Sequence, residues 1–453
     1  MVYLPEDFIR ETKLLMGDEC FNRFLGAFDE EAPVSIRLNP RKVSCEKLPC
    51  EKVPWCDEGF YLDGRPQFTF DPLFHAGCYY VQEASSMFVS HMLKSLLSES
   101  STFNFQHSAF NVLDLCAAPG GKSTAVRSLL PEESLLVSNE PIPTRAQILL
   151  ENITKWGWPD CIVTNNYPRD FRKAKLKFDI ILCDVPCSGE GMFRKDPNAI
   201  SEWSLQNVEK CWQLQREIVA DAWECLKPGG LLIYGTCTYN TKENEENVRW
   251  IQETYGAELL PVPTKPEWNI TGSLLKGFDG PVYRFIPGFT RGEGLFICAL
   301  RKSGEWRMDS GQWRVDSYDY QTSTNKKDCQ ASTSGQNCQA STDKKGLRSN
   351  HNCPLSTVHS KLKVLTPDLP LGTFPQVDLS YPEALKYLRG EALTLPADTP
   401  RGVVTVTYKG KSLGPAKNIG NRANNLYPKP WRIKSTHLPD EPPQILELSN
   451  RKS

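Results

Sequence analysis

Short apolar runs and longer amphipathic stretches alternate along the middle of the chain. The apolar runs predict β-strands at residues 111–116, 135–140, 161–164, 179–183 and 231–235. The stretches that follow them predict helices at residues 122–130, 144–156, 204–226 and 243–255. Strands that alternate with helices of this length are typical of an α/β parallel sheet with helices on both faces. Two later runs, 282–286 and 295–300, predict an antiparallel pair that closes the sheet.

The beginning of the chain mixes the two periodicities. A helical pattern over residues 6–15 precedes a strand-like alternation over 34–39, and an apolar helix is predicted near 88–97. We therefore assign residues 1–105 to an α+β segment and residues 106–302 to the α/β core.

Beyond the core, the composition changes. Residues 303–360 are rich in Ser, Thr, Asn, Gln and Lys, and Asp328-Cys329-Gln330-Ala331-Ser332-Thr333 is nearly repeated at 337–342. Such a stretch buries little apolar surface, so we predict a flexible linker. Residues 361–453 predict a small β-rich domain separate from the core, with a helix at 381–388 and a hairpin that begins with a strand at 403–408.

Composition excludes several classes of protein. Of the 453 residues, 40% are hydrophobic and 24% are charged, as in soluble proteins. Neither a run of about 18 apolar residues nor a signal peptide is visible, so we expect a cytoplasmic protein without a membrane partner. The 16 cysteines form no Cys-x-x-Cys pair. We therefore expect neither a disulfide scaffold nor a metal site. The repeats in the linker carry no apolar stripe through which two copies of the chain could associate, so we expect a monomer.

The net charge of −1 conceals a local excess of positive charge. Residues 401–434 contain eight Lys or Arg and no Asp or Glu, and Tyr427 and Trp431 lie among them. This pattern fits phosphate contacts combined with stacking on RNA bases. Alternatively, the aromatic residues form the core of the small domain and the charges are a solvated face.

Several reactive or polar residues fall at or just after the predicted strand ends. They are Asp114, the turn at 117–122, Glu140, Asp184 and Cys237. Because a doubly wound sheet binds its ligands beyond the carboxyl ends of the strands, we expect these residues to share one cleft.

The turn Pro119-Gly120-Gly121-Lys122 opens a helix whose free N–H groups favour a negative group nearby. A phosphate-binding loop would need glycine where Cys116 stands, so an NTPase is disfavoured. Glu140 can accept hydrogen bonds from two ribose hydroxyls. The alternative is that Glu140 is only a solvated acid at a strand end.

Two cysteines lie in short polar motifs. Cys187 follows Asp184-Val185-Pro186 and precedes Ser188-Gly189, and Cys237 is flanked by Thr236 and Thr238-Tyr239. A lone cysteine is more often a buried structural residue. Pro, Ser and Gly around a thiol instead favour a turn exposed to a cleft, where a thiol can act as a nucleophile.

These motifs, with Ser35-Ile36-Arg37-Leu38-Asn39 and residues 80–87, resemble the NOL/NOP/Sun family of RNA cytosine methyltransferases over residues 34–302. Residues 420–429 resemble the RsmF-like bacterial branch, whereas for the linker we identify no resemblance. The resemblance implies a Rossmann-like, S-adenosylmethionine-dependent core and a PUA-like RNA-binding domain. It further implies that the protein forms 5-methylcytidine in small-subunit ribosomal RNA, with that RNA or the small ribosomal subunit as its partner.

The resemblance also implies roles for single residues. Cys237 would add to carbon 6 of cytosine, Cys187 would assist release of the enzyme, Asp184 would hydrogen-bond the base, and Lys122 would lie beside base and cofactor. The implied S-adenosylmethionine-binding residues are Cys116, Ala117, Ala118, Pro119, Gly120, Gly121, Lys122, Glu140, Arg145, Asn165 and Asp184.

Other functions remain compatible with the sequence. The same chemistry acting on tRNA is one alternative, and a non-catalytic RNA-binding factor for ribosome assembly is another. Arg37 and Asn39 are expected either to contact RNA or to serve as polar residues at a strand edge.

Overall fold

The computed structural model describes residues 3–44, 48–99, 109–304, 361–370 and 372–446. The predicted linker therefore lies outside the described residues, apart from positions 303 and 304. The division of the chain at residues 105, 302 and 360 stays a prediction.

The first segment is α+β, as expected. Its elements in chain order are α1 (Glu6–Met16), α2 (Asp18–Gly26), β1 (Val34–Leu38), β2 (Gly59–Leu62), α3 (Pro72–His75), β3 (Tyr79–Val81) and α4 (Phe88–Glu99). The strands form an antiparallel sheet in the order β2-β1-β3. Four of the five residues of β1 are buried, so its polar as well as its apolar side chains point into protein.

The core carries the strand–helix alternation that the sequence predicts. Its first elements are β4 (Asn111–Asp114), α5 (Gly121–Arg127), β5 (Leu135–Asn139), α6 (Pro143–Trp156), β6 (Cys161–Thr164), α7 (Pro168–Lys173) and β7 (Phe178–Asp184). They are followed by α8 (Pro197–Glu202), α9 (Leu205–Cys225), β8 (Leu226–Thr236), α10 (Glu245–Tyr255), β9 (Glu258–Leu260), β10 (Tyr283–Phe285) and β11 (Leu295–Arg301).

The central sheet has the order β10-β11-β8-β7-β4-β5-β6. The strands from β8 to β6 pair in parallel, whereas β11 pairs antiparallel with β8 and β10 with β11. The predicted parallel sheet and its closing antiparallel pair are thus confirmed. Strand residues are buried alternately in two hydrophobic clusters, with Val112 in one and Leu113 in the other. Burial on both faces explains why the strands are continuous apolar runs.

The start of β8 is the boundary that differs most from the prediction. The strand expected at 231–235 begins at Leu226 and includes Lys227-Pro228-Gly229-Gly230. Phe178 pairs with Leu226 and Ile180 with Leu231, so four residues of β8 bulge out between these two pairs. The Pro-Gly-Gly sequence therefore interrupts the pairing without ending the strand.

The chain re-enters the central sheet after residue 360. Val364–Leu365 (β12) pairs antiparallel with β6 and forms the sheet edge opposite to β10. The sequence predicts a separate domain from residue 361 onwards and does not predict this pairing. A two-residue strand has too few positions to show a periodicity, and its pairing partner is distant in sequence.

The C-terminal unit has a small sheet and a helix. Its elements are β13 (Gln376–Asp378), α11 (Tyr381–Leu388), β14 (Gly402–Tyr408), β15 (Lys411–Asn418) and β16 (Ala423–Asn425). The strand order is β13-β14-β15-β16, and β14 and β15 form the expected hairpin.

This unit shares a hydrophobic core with the first segment. Leu385 of α11 belongs to the same buried cluster as Ile36 of β1. The hydroxyl of Tyr381 donates a hydrogen bond to the carbonyl of Phe70 at 3.1 Å. The side chain of Tyr427 is also buried, so the expectation that it stacks on RNA is wrong, and the alternative that it is a core residue is correct.

Candidate active site

The predicted site residues follow the carboxyl ends of adjacent strands. Asp114 ends β4 and Asp184 ends β7, and these strands are neighbours although their connections run to opposite sides of the sheet. Such a point of divergence opens a crevice at the strand ends. Cys237 comes directly after β8, which pairs with β7. The predicted residues therefore lie at the same edge of the sheet, at the carboxyl ends of its parallel strands.

The two cysteines of the polar motifs are in direct contact. Their Sγ atoms are 3.1 Å apart, although the residues are 50 positions apart in sequence. The hydrogen bond with Cys237, together with burial, raises the pKa of the Cys187 thiol well above its ordinary value. The raised pKa favours the protonated form of Cys187, and either sulfur can be the donor in this contact.

Lys122 and Asp184 form an ion pair beside the thiols. The Nζ atom of Lys122 lies 2.8 Å from Oδ2 of Asp184, and their side chains are 14% and 33% exposed. Burial lowers the pKa of Lys122, but the negative charges of Asp184 and Cys237 outweigh that effect, and the pKa is raised. Lys122 is therefore positively charged, forms an ion pair with Asp184 and lies near the thiol of Cys237.

The turn between β4 and α5 is shaped by Gly120. Its φ of +113° lies in the region that favours glycine, and a Cβ there would stand 3.2 Å from Cδ1 of Leu149. The backbone N–H of Ala117 donates to the carbonyl of Asn139 at 2.8 Å, which ties this turn to the end of β5. Cys116 and Ala118 of the turn are half-buried and Pro119 is exposed, so the turn borders the crevice.

Asp114 lies beneath this turn and is fully buried. It accepts a hydrogen bond from the hydroxyl of Ser123 at 2.6 Å, and Ser123 in turn accepts one from Ser138 at 2.9 Å. Burial raises the pKa of Asp114 to about 7. The chain of hydroxyls fixes the carboxyl group between β4 and α5, where it supports the turn from below.

Glu140 follows β5 with a side chain that is only 2% exposed. One carboxylate oxygen accepts the backbone N–H of Ile142 at 2.9 Å, and the other lies 3.4 Å from Nη1 of Arg145. Arg145 also donates to the carbonyl of Ala118 at 3.0 Å, and Asn165 donates to the carbonyl of Glu140 at 2.8 Å. The alternative that Glu140 is a solvated acid is wrong.

A nucleoside cofactor fits this arrangement. The glycine turn allows close approach of a ligand to the backbone, and a carboxylate at the end of the next strand is placed to bind ribose hydroxyls. Gly120 and Glu140 meet these two requirements, and Arg145 links their two loops. The roles of single residues in binding the cofactor stay predictions.

Arg37 and Asn39 do not face a solvent-exposed RNA surface. Both are buried; Arg37 donates to Gln82 at 2.8 Å and to Thr124 of α5 at 2.6 Å. Asn39 donates to the carbonyl of Trp156 at 2.8 Å. These residues attach the first segment to the catalytic core, and the expectation of RNA contact is wrong.

Sequence reasoning missed two buried carboxylates behind the cysteines. Glu190 is 2% exposed and Glu243 is fully buried, and both lie within the segments that follow the thiols. The available signal was their spacing, because Glu190 is three residues after Cys187 and Glu243 is six residues after Cys237. Spacing alone does not show that these carboxylates are buried.

Comparisons with known proteins match most of the chain. A family model described as 16S rRNA methyltransferase RsmB/F matches residues 102–301. The model for the N-terminal domain of 16S rRNA methyltransferase RsmF matches residues 4–84, and the model for the methyltransferase RsmF PUA domain matches residues 374–433.

Curated proteins similar to this chain are also named as methyltransferases of small-subunit ribosomal RNA. The chain is 33% identical over 323 residues to ribosomal RNA small subunit methyltransferase F of Pectobacterium atrosepticum, a match that covers 66% of this chain but only 63% of that relative. A protein of the same name from Enterobacter sp. strain 638 is 28% identical, with 94% of this chain and 96% of the relative covered.

Solved structures show the same fold. NSun6 from Pyrococcus horikoshii, solved with SFG, has a TM-score of 0.55 at 22% identity, covering 66% of this chain and 98% of that one. A methyltransferase homologue from the same organism has a TM-score of 0.53 at 25% identity, covering 66% and 100%. The central sheet is therefore a Rossmann-like methyltransferase fold. No helix among the described residues is long and apolar enough to cross a membrane.

Proposed function

The chain belongs to the RsmF branch of the RsmB/F family of 16S rRNA methyltransferases, and from that membership we propose its reaction. It transfers a methyl group from S-adenosylmethionine to carbon 5 of a cytosine in small-subunit ribosomal RNA. The reaction passes through a covalent bond between Cys237 and the base.

The contact between the two thiols supports this proposal most strongly. A nucleophile that forms a covalent bond to carbon 6 must later be released, and a second thiol 3.1 Å away is placed to assist that release. A cysteine retained only for packing would not need a second thiol and a lysine–carboxylate pair at the same strand ends. This arrangement favours catalysis over a purely RNA-binding role.

The first step uses Cys237 and the ion pair. Cys237 adds to carbon 6 as a thiolate, and the cation of Lys122 stabilises that thiolate before the addition. Asp184 holds the amino edge of the cytosine by hydrogen bonding. Addition makes carbon 5 electron-rich, so that it accepts the methyl group. The role of S-adenosylmethionine, when bound, is to supply this methyl group as an electrophile.

Release of the product uses Cys187. Carbon 5 loses its proton to the sulfur of Cys187 while the original proton of Cys187 passes to the departing sulfur of Cys237. The electron pair of the C5–H bond forms the C5=C6 double bond, and the pair of the C6–S bond leaves with Cys237. The raised pKa of Cys187 suits a group that must hold a proton until this step.

The C-terminal unit supplies RNA affinity in this proposal. The PUA model matches residues 374–433, which include most of the basic segment at 401–434. Contacts from Lys and Arg to phosphates give affinity without base specificity. The base itself must leave any stack to reach the thiols, which costs a few kcal/mol in a duplex.

Methyl transfer from radiolabelled S-adenosylmethionine tests the proposal. Small ribosomal subunits, free rRNA and tRNA are offered to the wild-type protein and to Cys237→Ala. Label in rRNA as 5-methylcytidine, absent with Cys237→Ala, is the expected result. Label only in tRNA would change the substrate but keep the chemistry, and binding without label in any RNA would favour an assembly factor.

A further inference from the structure

The segments that carry the two thiols are joined by buried carboxylates. Glu190 lies in the Cys187 segment, yet its Oε2 atom accepts the backbone N–H groups of Tyr239 at 2.5 Å and Asn240 at 3.0 Å in the Cys237 segment. Its Oε1 atom accepts the indole N–H of Trp203 at 3.1 Å. The acid of one segment therefore holds the backbone of the other.

Glu243 makes the reciprocal contact. It follows Cys237, but its carboxylate accepts the backbone N–H of Ser188 at 3.0 Å and the Ser188 hydroxyl at 2.5 Å, directly after Cys187. The amide of Gln215 in α9 donates to Glu243 at 2.7 Å. Each thiol is thus followed by an acid that binds the segment of the other thiol.

Asn240 connects the two carboxylates. Its Nδ2 atom lies 2.9 Å from Oε1 of Glu190 and 2.9 Å from Oε1 of Glu243. The backbone adds one direct link, because the N–H of Gly191 donates to the carbonyl of Cys237 at 2.8 Å. The two segments are therefore joined through four backbone N–H groups, those of Ser188, Gly191, Tyr239 and Asn240.

The burial of these acids makes the arrangement costly unless every contact is made. A buried carboxylate without partners loses several kcal/mol of hydration, and its donors lose their acceptors. Both carboxylates are almost inaccessible, and each accepts four hydrogen bonds from N–H or O–H groups. A displacement of one segment against the other would break several of these bonds at once.

We propose that Glu190 and Glu243 are positioning residues that fix the sulfur of Cys187 against the sulfur of Cys237. The inference rests on the proposed function, because it assigns to this contact the release step of the covalent reaction. Addition of Cys237 to the base needs only one thiol, whereas release needs both at a fixed separation. Loss of either carboxylate therefore slows release more than addition.

Glutamine variants test this assignment. In Glu190→Gln and Glu243→Gln one acceptor oxygen becomes an NH2 donor that faces existing donors, while size is preserved. Misplacement of a reacting group by about 1 Å costs on the order of 100-fold in rate. We expect turnover to fall about 10- to 100-fold, with a covalent protein–RNA adduct that accumulates above the wild-type level. The control is Glu209→Gln, an acid in α9 whose side chain is 39% exposed.

A measurement without RNA separates this inference from the proposed function. Phenylarsine oxide bridges two thiols only when they are close together, and the bridged peptides of Cys187 and Cys237 are identified by mass spectrometry. We expect bridging to slow about tenfold in Glu190→Gln and Glu243→Gln, but not in Glu209→Gln, while alkylation of each single thiol by N-ethylmaleimide is unchanged.

The outcomes are distinct. Unchanged bridging in folded glutamine variants overturns the positioning role, even if the wild-type protein methylates RNA. If bridging slows in the glutamine variants but the wild-type protein forms neither methylated RNA nor an adduct, the proposed function is overturned. The positioning role of the two carboxylates then still stands. If a glutamine variant fails to fold, Asn240→Ala serves instead, because it removes the shared amide at a half-buried position. Unchanged bridging in Asn240→Ala then contradicts the inference.

Discussion

Lys122 and Asp184 reach each other across the two central strands, with Nζ and Oδ2 at 2.8 Å. Lys122 lies in the first turn of α5, whereas Asp184 ends β7, so the ion pair connects the carboxyl ends of the two neighbouring strands. Cys237 lies near the same ammonium group and, after Asp184, contributes to the raised pKa of Lys122. One cation therefore lies against Asp184 and near Cys237, to which the proposed mechanism assigns base binding and nucleophilic addition.

Replacement of Lys122 by methionine is expected to lower kcat by about 100- to 1,000-fold, the usual effect of removing one electrostatic contact from a reacting site. The matched control is Lys94→Met. Lys94 also contacts an aspartate, Asp57, at 2.8 Å, but both side chains are mostly exposed. The methylation rate of Lys94→Met should equal that of the wild type; equal rates for Lys122→Met would contradict the role of the ion pair.

Cys187→Ala is expected to trap the protein on its RNA. Without the second thiol, addition of Cys237 to the base proceeds but release slows, so an adduct stable to denaturation accumulates. The measurement is the fraction of radiolabelled RNA that migrates with the protein on a denaturing gel. Cys237→Ala and the double variant should form no adduct. An adduct level in Cys187→Ala no higher than in the wild type would assign release to another group.

Gly77 permits the close contact between the first segment and the end of α6. A Cβ at this position would lie 1.9 Å from the carbonyl oxygen of Lys155, and the residue has a φ of +65°. We expect Gly77→Ala to lower the free energy of unfolding by about 3 kcal/mol or more, because backbone strain and a backbone clash add together.

The control for this variant is Gly64→Ala. Gly64 has a similar φ of +78°, but a Cβ there meets no atom within 4 Å. Its substitution should cost only about 1 kcal/mol, which is the strain of a left-handed residue. Urea unfolding followed by circular dichroism compares the two variants. If both variants lose the same free energy of unfolding, the backbone at Lys155 does not clash with a Cβ at position 77.

Stability should depend on pH through Asp114. Because burial raises the pKa of Asp114 to about 7, the folded state holds a proton that the unfolded state releases near pH 4. This contribution to stability is fully present below pH 4 and is lost as the pH rises to about 7. Asp114→Asn cannot titrate but still accepts the hydrogen bond from Ser123.

The measurement is the difference in unfolding free energy between Asp114→Asn and the wild type at pH 5 and pH 7.5. We expect the free energy of unfolding of Asp114→Asn to rise relative to that of the wild type as the pH rises, because only the wild type loses the contribution of the buried proton. Other titrating groups are common to both proteins and cancel in the difference. A difference that is constant with pH would mean that Asp114 ionises normally in the folded protein.

Much of the secondary structure of the core and of the C-terminal unit was predictable from the sequence. The strand at Cys161–Thr164 and the helix Tyr381–Leu388 have the predicted bounds, because burial on both faces gives the strand a continuous apolar run and a helix period marks the other. The cysteines could be placed in one cleft because both follow parallel strands.

Burial of polar residues could not be predicted in the same way. Alternation in β1 indicated a strand correctly, but Arg37 on its polar face is buried against Thr124 rather than exposed. Glu190 stands between two glycines and Glu243 in an acidic stretch, and only the approach of a segment about 50 residues away encloses them. Such contacts depend on tertiary packing, which periodicity does not describe.

The position of β12 has a consequence for the integrity of the molecule. β11 and β12 are six strand spacings apart, about 29 Å. The part of the chain after residue 360 is attached twice without help from the peptide connection: β12 pairs with β6, and α11 shares a core with β1. Fragments 1–304 and 361–453 therefore have complementary surfaces and are expected to reassemble into one particle when made as two separate polypeptides.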